Sequence, residues 1–261
     1  MNRQEIINFK RFFSTYVRTF LSQDKESQKN VLLKIIHTFN VCKNIKDLAG
    51  DLFSDINNIL LAETVALFHD IGRFQQYAQY KTFNDGFSVN HGVLGAEIVS
   101  NSKILVGLPI REQDLIINSI RFHNSLFMPE GLDRDTATYL KLIRDADKLD
   151  IWRVFAQYYE MPEQERASAA MLGLPDKKDF TKDILSYIYD KKLIPLSNVK
   201  TVNDFILMQL SWVFDLNFKK SYQMLLNTKD IEKLIEKLPD TEDVKDATSF
   251  IMDYINSRTR E

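Results

Sequence analysis

The chain has 261 residues, 44% hydrophobic and 27% charged, with a net charge of −2. That length supports one large domain or two small ones with a buried core. The near-neutral charge excludes the basic footprint expected of a protein that binds a nucleic-acid polymer or an acidic membrane surface. One cysteine, Cys42, rules out an internal disulfide and fits a reducing compartment; in its helical pattern it reads as a small buried hydrophobe.

Taken in chain order, the segments are helical nearly throughout. The N-terminus, Met1-Asn-Arg-Gln-Glu-Ile-Ile7, carries charges where a signal peptide has an apolar run, so a cytoplasmic location is expected. Ile35, Ile36, Phe39, Val41, Ile45, Leu48 and Leu52 recur at steps that place His37 on or beside an apolar helix face. Asp55 is a candidate cap for a helix through Ile59, Leu60, Val65, Leu67 and Phe68 into His69. Asn84-Asp85-Gly86 signals a turn, and the loop 81–90 is a candidate lid or a plain connection. A helix begins near His91, another runs to about His123, and Asp133 caps one carrying Tyr139, Leu140, Leu142, Ile143 and Asp147.

Beyond residue 160 shorter elements follow. Residues 203–226 read as one long helix, apolar on most sides and therefore buried. Its apolar run Phe205–Phe214 is about half of what a bilayer span needs. Trp212 and its neighbours read as packing or a dimer face. Strand alternation, repeats and low-complexity tracts are absent from the sequence. The expectation is an all-α protein: a metal-binding helical core over 1–160, and C-terminal helices over 161–261 that cover the core or pair with another copy as a homodimer.

The four histidines are the chemical signal. His37, His69, His91, His123 and then Asp147 follow one another at intervals of 32, 22, 32 and 24 residues, each about one helical hairpin. Histidine is the commonest metal-ligating side chain. One divalent metal would take His37, His69, Asp70 and Asp147, and a second Asp70, His91 and His123, with Asp70 bridging. Nitrogen and oxygen donors without thiolate suit manganese, iron, nickel, cobalt, zinc or magnesium. Two such ions can activate water and clamp a phosphoryl oxygen.

These residues resemble a known family. His37, His69-Asp70 and Asp147 reproduce the H…HD…D signature of the HD-domain superfamily of metal-dependent phosphohydrolases. His91 and His123 look like the two added histidines of its binuclear H…HD…H…H…D members. Leu67-Phe-His-Asp-Ile-Gly72, Asn90-His-Gly-Val-Leu-Gly-Ala-Glu97 and Arg144-Asp-Ala-Asp-Lys-Leu149 match as local words, and the chain looks nearest to bacterial proteins with an HDIGRF word. The likeness covers roughly residues 30 to 155 and implies an all-α HD core. The family's last ligand sits in an Ala-Asp-x-Leu word, which selects Asp147 over Asp145; the latter is then a supporting or a solvated carboxylate.

Asp70, Arg73 and Lys148 are the candidate catalytic residues. Arg73 follows Asp70 by three, where many relatives carry lysine, and its guanidinium suits a phosphate fork. Lys148 is a second cation or a partner of Asp145 or Asp150, and Arg144 shares the Asp147 side of its helix. Phe74, Tyr77 and Tyr80 read as core or as stacking partners for a base. The implied substrate is a small, nucleotide-like phosphate mono- or diester, with neither a nucleic-acid polymer nor a membrane as partner. Two other readings share the ligand set: a mixed-valent di-iron oxygenase of the inositol oxygenase type, and a non-catalytic HD-fold ligand sensor.

Overall fold

Capping side chains set the first helix boundaries. Asn2 and Glu5 form a reciprocal capping box at the start of α1 (Arg3–Arg18). Asp24 accepts from the Ser27 amide to open α2 (Lys25–Leu52), and Asp55 caps α3 (Ile56–Phe68) as its sequence predicts. α4 (Ile71–Tyr80) follows after two residues, then α5 (His91–Ser102), capped by Asn90, and α6 (Ile110–Phe122). α7 (Arg134–Glu160) begins at Asp133, whose carboxylate accepts from the Asp135 and Thr136 amides. The computed structural model describes residues 1–260; among them there is no strand, and no helix is long and apolar enough to cross a membrane. The fold is all-α, as expected.

The residues fall into two compact units. The first comprises Met1–Asp150 with Glu163–Leu172. In it α2 lies along α3, α4 packs on α5, and α5 on α6, while α1 covers α3. Its core holds Phe13, Phe68, Phe74, Ile45, Leu48, Leu67, Ile71, Ile116, Ile120 and Leu140, all fully buried. Phe74 and Tyr77 belong to this core, which decides them as packing residues; Tyr80 is exposed. Cys42 is buried as expected, and burial pushes its thiol up to about 12.

The second unit comprises Ile151–Pro162 and the chain from Gly173 onward. It contains α8 (Leu185–Tyr189), α9 (Val202–Ser211), α10 (Lys219–Thr228), α11 (Asp230–Ile235) and α12 (Glu242–Arg260). The expected single helix over 203–226 is two. α9 tightens into a 3-10 turn at Trp212–Asp215, and an extended stretch precedes α10. The Tyr222 hydroxyl fastens this corner by donating to the carbonyl of Val213, and it also lies 3.2 Å from that of Leu216. Apolarity on all sides does signal burial, but it is blind to a corner whose carbonyls are satisfied by a side chain six to nine residues further on.

One local expectation needs correction. Ile36, Phe39 and Leu52 are exposed, because α2 turns His37, Thr38, Val41, Cys42, Ile45, Leu48 and Ala49 inward instead. His69 and Asp70 do not sit within one helix. His69 is the C-cap of α3 and Asp70, with φ −103° and ψ 13°, is the N-cap of α4. A break there lets adjacent residues aim at one point, which a continuous helix resists because neighbours diverge by about 100°.

Candidate metal centre

All four histidines, Asp70 and Asp147 converge in the first unit. α2 supplies His37, the α3–α4 junction His69 and Asp70, the start of α5 His91, the end of α6 His123, and α7 Asp147. The histidines and Asp70 are nearly inaccessible; the Asp147 side chain is 18% exposed.

Each imidazole is held by its Nδ1. His37 Nδ1 donates to Asp150 Oδ2 at 2.7 Å, and His91 Nδ1 to Asp85 Oδ2 at 2.7 Å. His69 Nδ1 donates to the Ala66 carbonyl and His123 Nδ1 to that of Ile120, both at 2.7 Å. An oxygen partner fixes the proton of the neutral ring on Nδ1 and turns all four Nε2 atoms inward, so each neutral ring would offer a lone pair to a metal, the arrangement that orients metal-ligating histidines.

The Nε2 atoms form two pairs. His37 and His69 are 3.3 Å apart, and His91 and His123 are 3.1 Å apart. Asp70 is divided between them. Its Oδ2 lies 3.5 Å from His37 Nε2 and 3.7 Å from His69 Nε2; its Oδ1 lies 3.3 Å from His91 Nε2 and 3.8 Å from His123 Nε2. Asp147 Oδ1 joins the first pair, 3.0 Å from His37 Nε2 and 3.7 Å from His69 Nε2. His123 also comes within reach of a group with His69 and Asp147.

These donors fit a metal. Ligands at about 2.0–2.2 Å from one ion stand about 3.0–3.6 Å from each other in octahedral or tetrahedral arrangements. The spacings above lie in or near that range. Asp147 Oδ1 is buried and accepts no hydrogen bond, since His37 Nε2 approaches without hydrogen-bond alignment. A buried carboxylate oxygen without such a partner is costly, and a cation satisfies it.

The local field agrees. Burial and Lys34 work against charge on His37, yet Asp147 and Asp150 prevail and raise its pKa to about 9. Asp147 and Asp150, with Asp70 3.5 Å from His37 Nε2, make that side a cation-attracting site. Burial also works against charge on Asp70 and Asp147, but Lys34 and His69 around the first, and His37 and His69 around the second, hold both carboxyls well below the usual range. At His91 burial and Arg73 win over Asp85 and push the pKa down to about 3, leaving a neutral imidazole with a free lone pair.

The other candidate residues lie as follows. Arg73 turns its Nη1 to the Phe83 carbonyl, Asp85 and Gln76, while its Nε is 3.5 Å from Asp70 Oδ1. Arg144 is buried and donates to the carbonyls of His123 and Ser125, so it pins the chain after the α6 ligand. Lys148 is buried, its Nζ 3.4 Å from the Arg144 carbonyl. Asp145 is fully buried, which excludes the solvated-carboxylate reading.

Three supporting residues escape a sequence reading. Asp150 follows Asp147 by three on α7, and Lys34, whose Nζ is 2.7 Å from Asp70 Oδ2, precedes His37 by three on α2. That helical spacing is a usable signal. Asp85 gives none. It sits in the turn at Asn84-Asp85-Gly86 and receives Arg73 Nη1, Gln76 Nε2, His91 Nδ1 and Asn124 Nδ2. The turn is therefore tied to the centre.

Close backbone approach sets the distances. A Cβ on Gly72 would come 2.3 Å from the His91 carbonyl oxygen, and one on Gly92 2.6 Å from Asn124 Oδ1. Gly72→Ala must push α4 and α5 apart where both carry ligands. It is expected to cost about 1–3 kcal/mol and to weaken metal binding, read by thermal melts with and without manganese. An unchanged melting temperature would contradict the tight contact.

No protein of curated function matches the chain. Among solved structures, a predicted HD superfamily hydrolase from an uncultured Thermotogales bacterium is 26% identical, over 65% of this chain and 89% of that one, with a TM-score of 0.41, too loose a superposition to carry weight. Residues 35–152 match the family model of the HD domain, and that segment contains every histidine of the chain together with Asp70 and Asp147.

Proposed function

We propose that the protein is a metal-dependent phosphohydrolase that uses two ions to cleave a small, nucleotide-like phosphate mono- or diester. The observation that carries this reading is the division of Asp70: one oxygen faces the His37 and His69 pair, the other the His91 and His123 pair. His37, His69, Asp70 and Asp147 would hold one ion, and Asp70, His91 and His123 the other. When bound, such ions lower the pKa of water and neutralise a phosphoryl group.

The protein's own part is preorganisation. Asp150 and Asp85 hold two of the rings through Nδ1, and the Ala66 and Ile120 carbonyls hold the other two. Arg73 adds positive charge beside Asp70 while ordering the turn that carries Asp85. Lys148 supplies a second cation on α7, one position after Asp147. Fixed charges of this kind stabilise developing negative charge without reorganising during reaction.

The test is a screen of nucleotides, cyclic dinucleotides and simple phosphate esters with manganese, nickel, cobalt or magnesium, alongside elemental analysis. Turnover should require added metal, vanish with a chelator and return on reloading. Two irons per chain with oxygen uptake would replace this reading by the oxygenase one.

A further inference from the structure

We propose that Lys34 is a displaceable internal counter-ion: it neutralises Asp70 in the metal-free protein, yields that carboxylate oxygen to metal, and then binds a phosphoryl oxygen of the substrate. The last step rests on the phosphohydrolase reading; the displacement does not.

The geometry sets two claims on one atom. Lys34 Nζ lies 2.7 Å from Asp70 Oδ2, and the same oxygen faces His37 Nε2 and His69 Nε2 at 3.5 and 3.7 Å. An ion held by those donors and the ammonium would be like charges on one oxygen, in a site where burial weakens screening. The two states of Asp70 therefore exclude each other to a large degree.

Lys34 is built to leave. Its side chain is 15% exposed, whereas that of Asp70 is 3% exposed, so the lysine reaches solvent more than the carboxylate that it neutralises. Its four-carbon stem is flexible and its head is a compact point charge that does not depend on one fixed geometry. Nζ also stands 5.4 Å from the centre of the Phe83 ring, and the Phe83 carbonyl accepts from Arg73. A phosphoryl group brought to an ion beside Asp70 would come within reach of the released ammonium, and a new charge-assisted hydrogen bond would replace the old one.

Lys34→Met and Lys34→Arg, compared with the native chain, test this. Metal-free Lys34→Met should melt lower than the native protein, by roughly 3 °C or more, and manganese should close that gap. Its manganese affinity by calorimetry should be about 5- to 150-fold tighter, the usual span of coupling between two sites, while Lys34→Arg keeps the native affinity. Manganese-loaded Lys34→Met should bind inorganic phosphate about tenfold or more weakly, and Lys34→Arg should restore it. Equal or weaker manganese binding by Lys34→Met would overturn the displacement, and unchanged phosphate binding would overturn the phosphoryl contact. Native protein that hydrolyses no ester, with manganese binding tightened in Lys34→Met, would remove the phosphohydrolase reading and leave the displacement standing.

Discussion

Asp70→Ala protein is expected to lose both ions together and to retain its helices. Asp70 turns one carboxylate oxygen to each pair of Nε2 atoms. Its removal takes a ligand from each group and leaves three donors in one and two in the other. The nitrogen and carboxylate donors that remain are still preorganised, so residual weak binding at millimolar metal is compatible with the scheme. Metal assistance is worth several kcal/mol, so turnover should fall by about 10³–10⁴. Far-UV circular dichroism should stay native, because Asp70 sits at a helix junction and makes no side-chain cap bond. Elemental analysis is the decisive measurement. Variant protein with native metal content, native turnover and no cellular phenotype would favour a sensor role for the fold.

Asp85→Asn is expected to have the next largest effect, although Asp85 touches no metal in the scheme. Its carboxylate receives an arginine, a glutamine, an asparagine and the His91 ring. Asparagine keeps the shape and removes the charge. Arg73 then loses a charged partner in a half-buried setting, at a cost of about 1–3 kcal/mol. The amide can also turn an N–H toward His91 Nδ1 and favour the wrong tautomer. Loss of a carboxylate behind a ligating histidine typically weakens metal binding about 10- to 100-fold. The loss should fall on the ion held by His91 and His123, and the His37 and His69 side should retain its affinity. Titration with manganese separates the two sites. A uniform loss at both would show general unfolding rather than a local role, and no loss would remove Asp85 from the centre.

How much of this was legible in the chain is best judged residue by residue. Asp55 and Asp133 announce their helices because capping is a local bond between a side chain and amides two or three positions on. Five of the donors are legible because histidine occurs nowhere else and because Asp70 adjoins His69, whereas Asp147 is selected over Asp145 by the resemblance to the family word. Asp150 and Lys34 were within reach, since each stands one helical turn from a ligand. The break between α3 and α4 at His69 and Asp70 has no such local signal. Nothing local breaks Leu67-Phe-His-Asp-Ile-Gly72; the break is imposed by the packing of α4 on α5, where Gly72 meets the His91 backbone.

Arg73 shows the same limit from the other side. Its spacing from Asp70 was read correctly, and its Nε does approach Asp70. Its remaining bonds go to Phe83, Gln76 and Asp85, partners in a turn whose course is set by tertiary contacts. The corner between α9 and α10, fastened by Tyr222, is another such case.

The sequence alone determined which donors are available to a metal, since donor type and number are properties of residues. It determined the all-α character too, because helical periodicity and caps act within a few positions. Only the tertiary structure decided how the donors divide into two groups around Asp70, which nitrogen of each histidine faces inward, and that Lys34 shares Asp70 with them. Those are distances between α2, α4, α5, α6 and α7, set by side-chain packing and by glycines that let backbones touch, and no local rule encodes them.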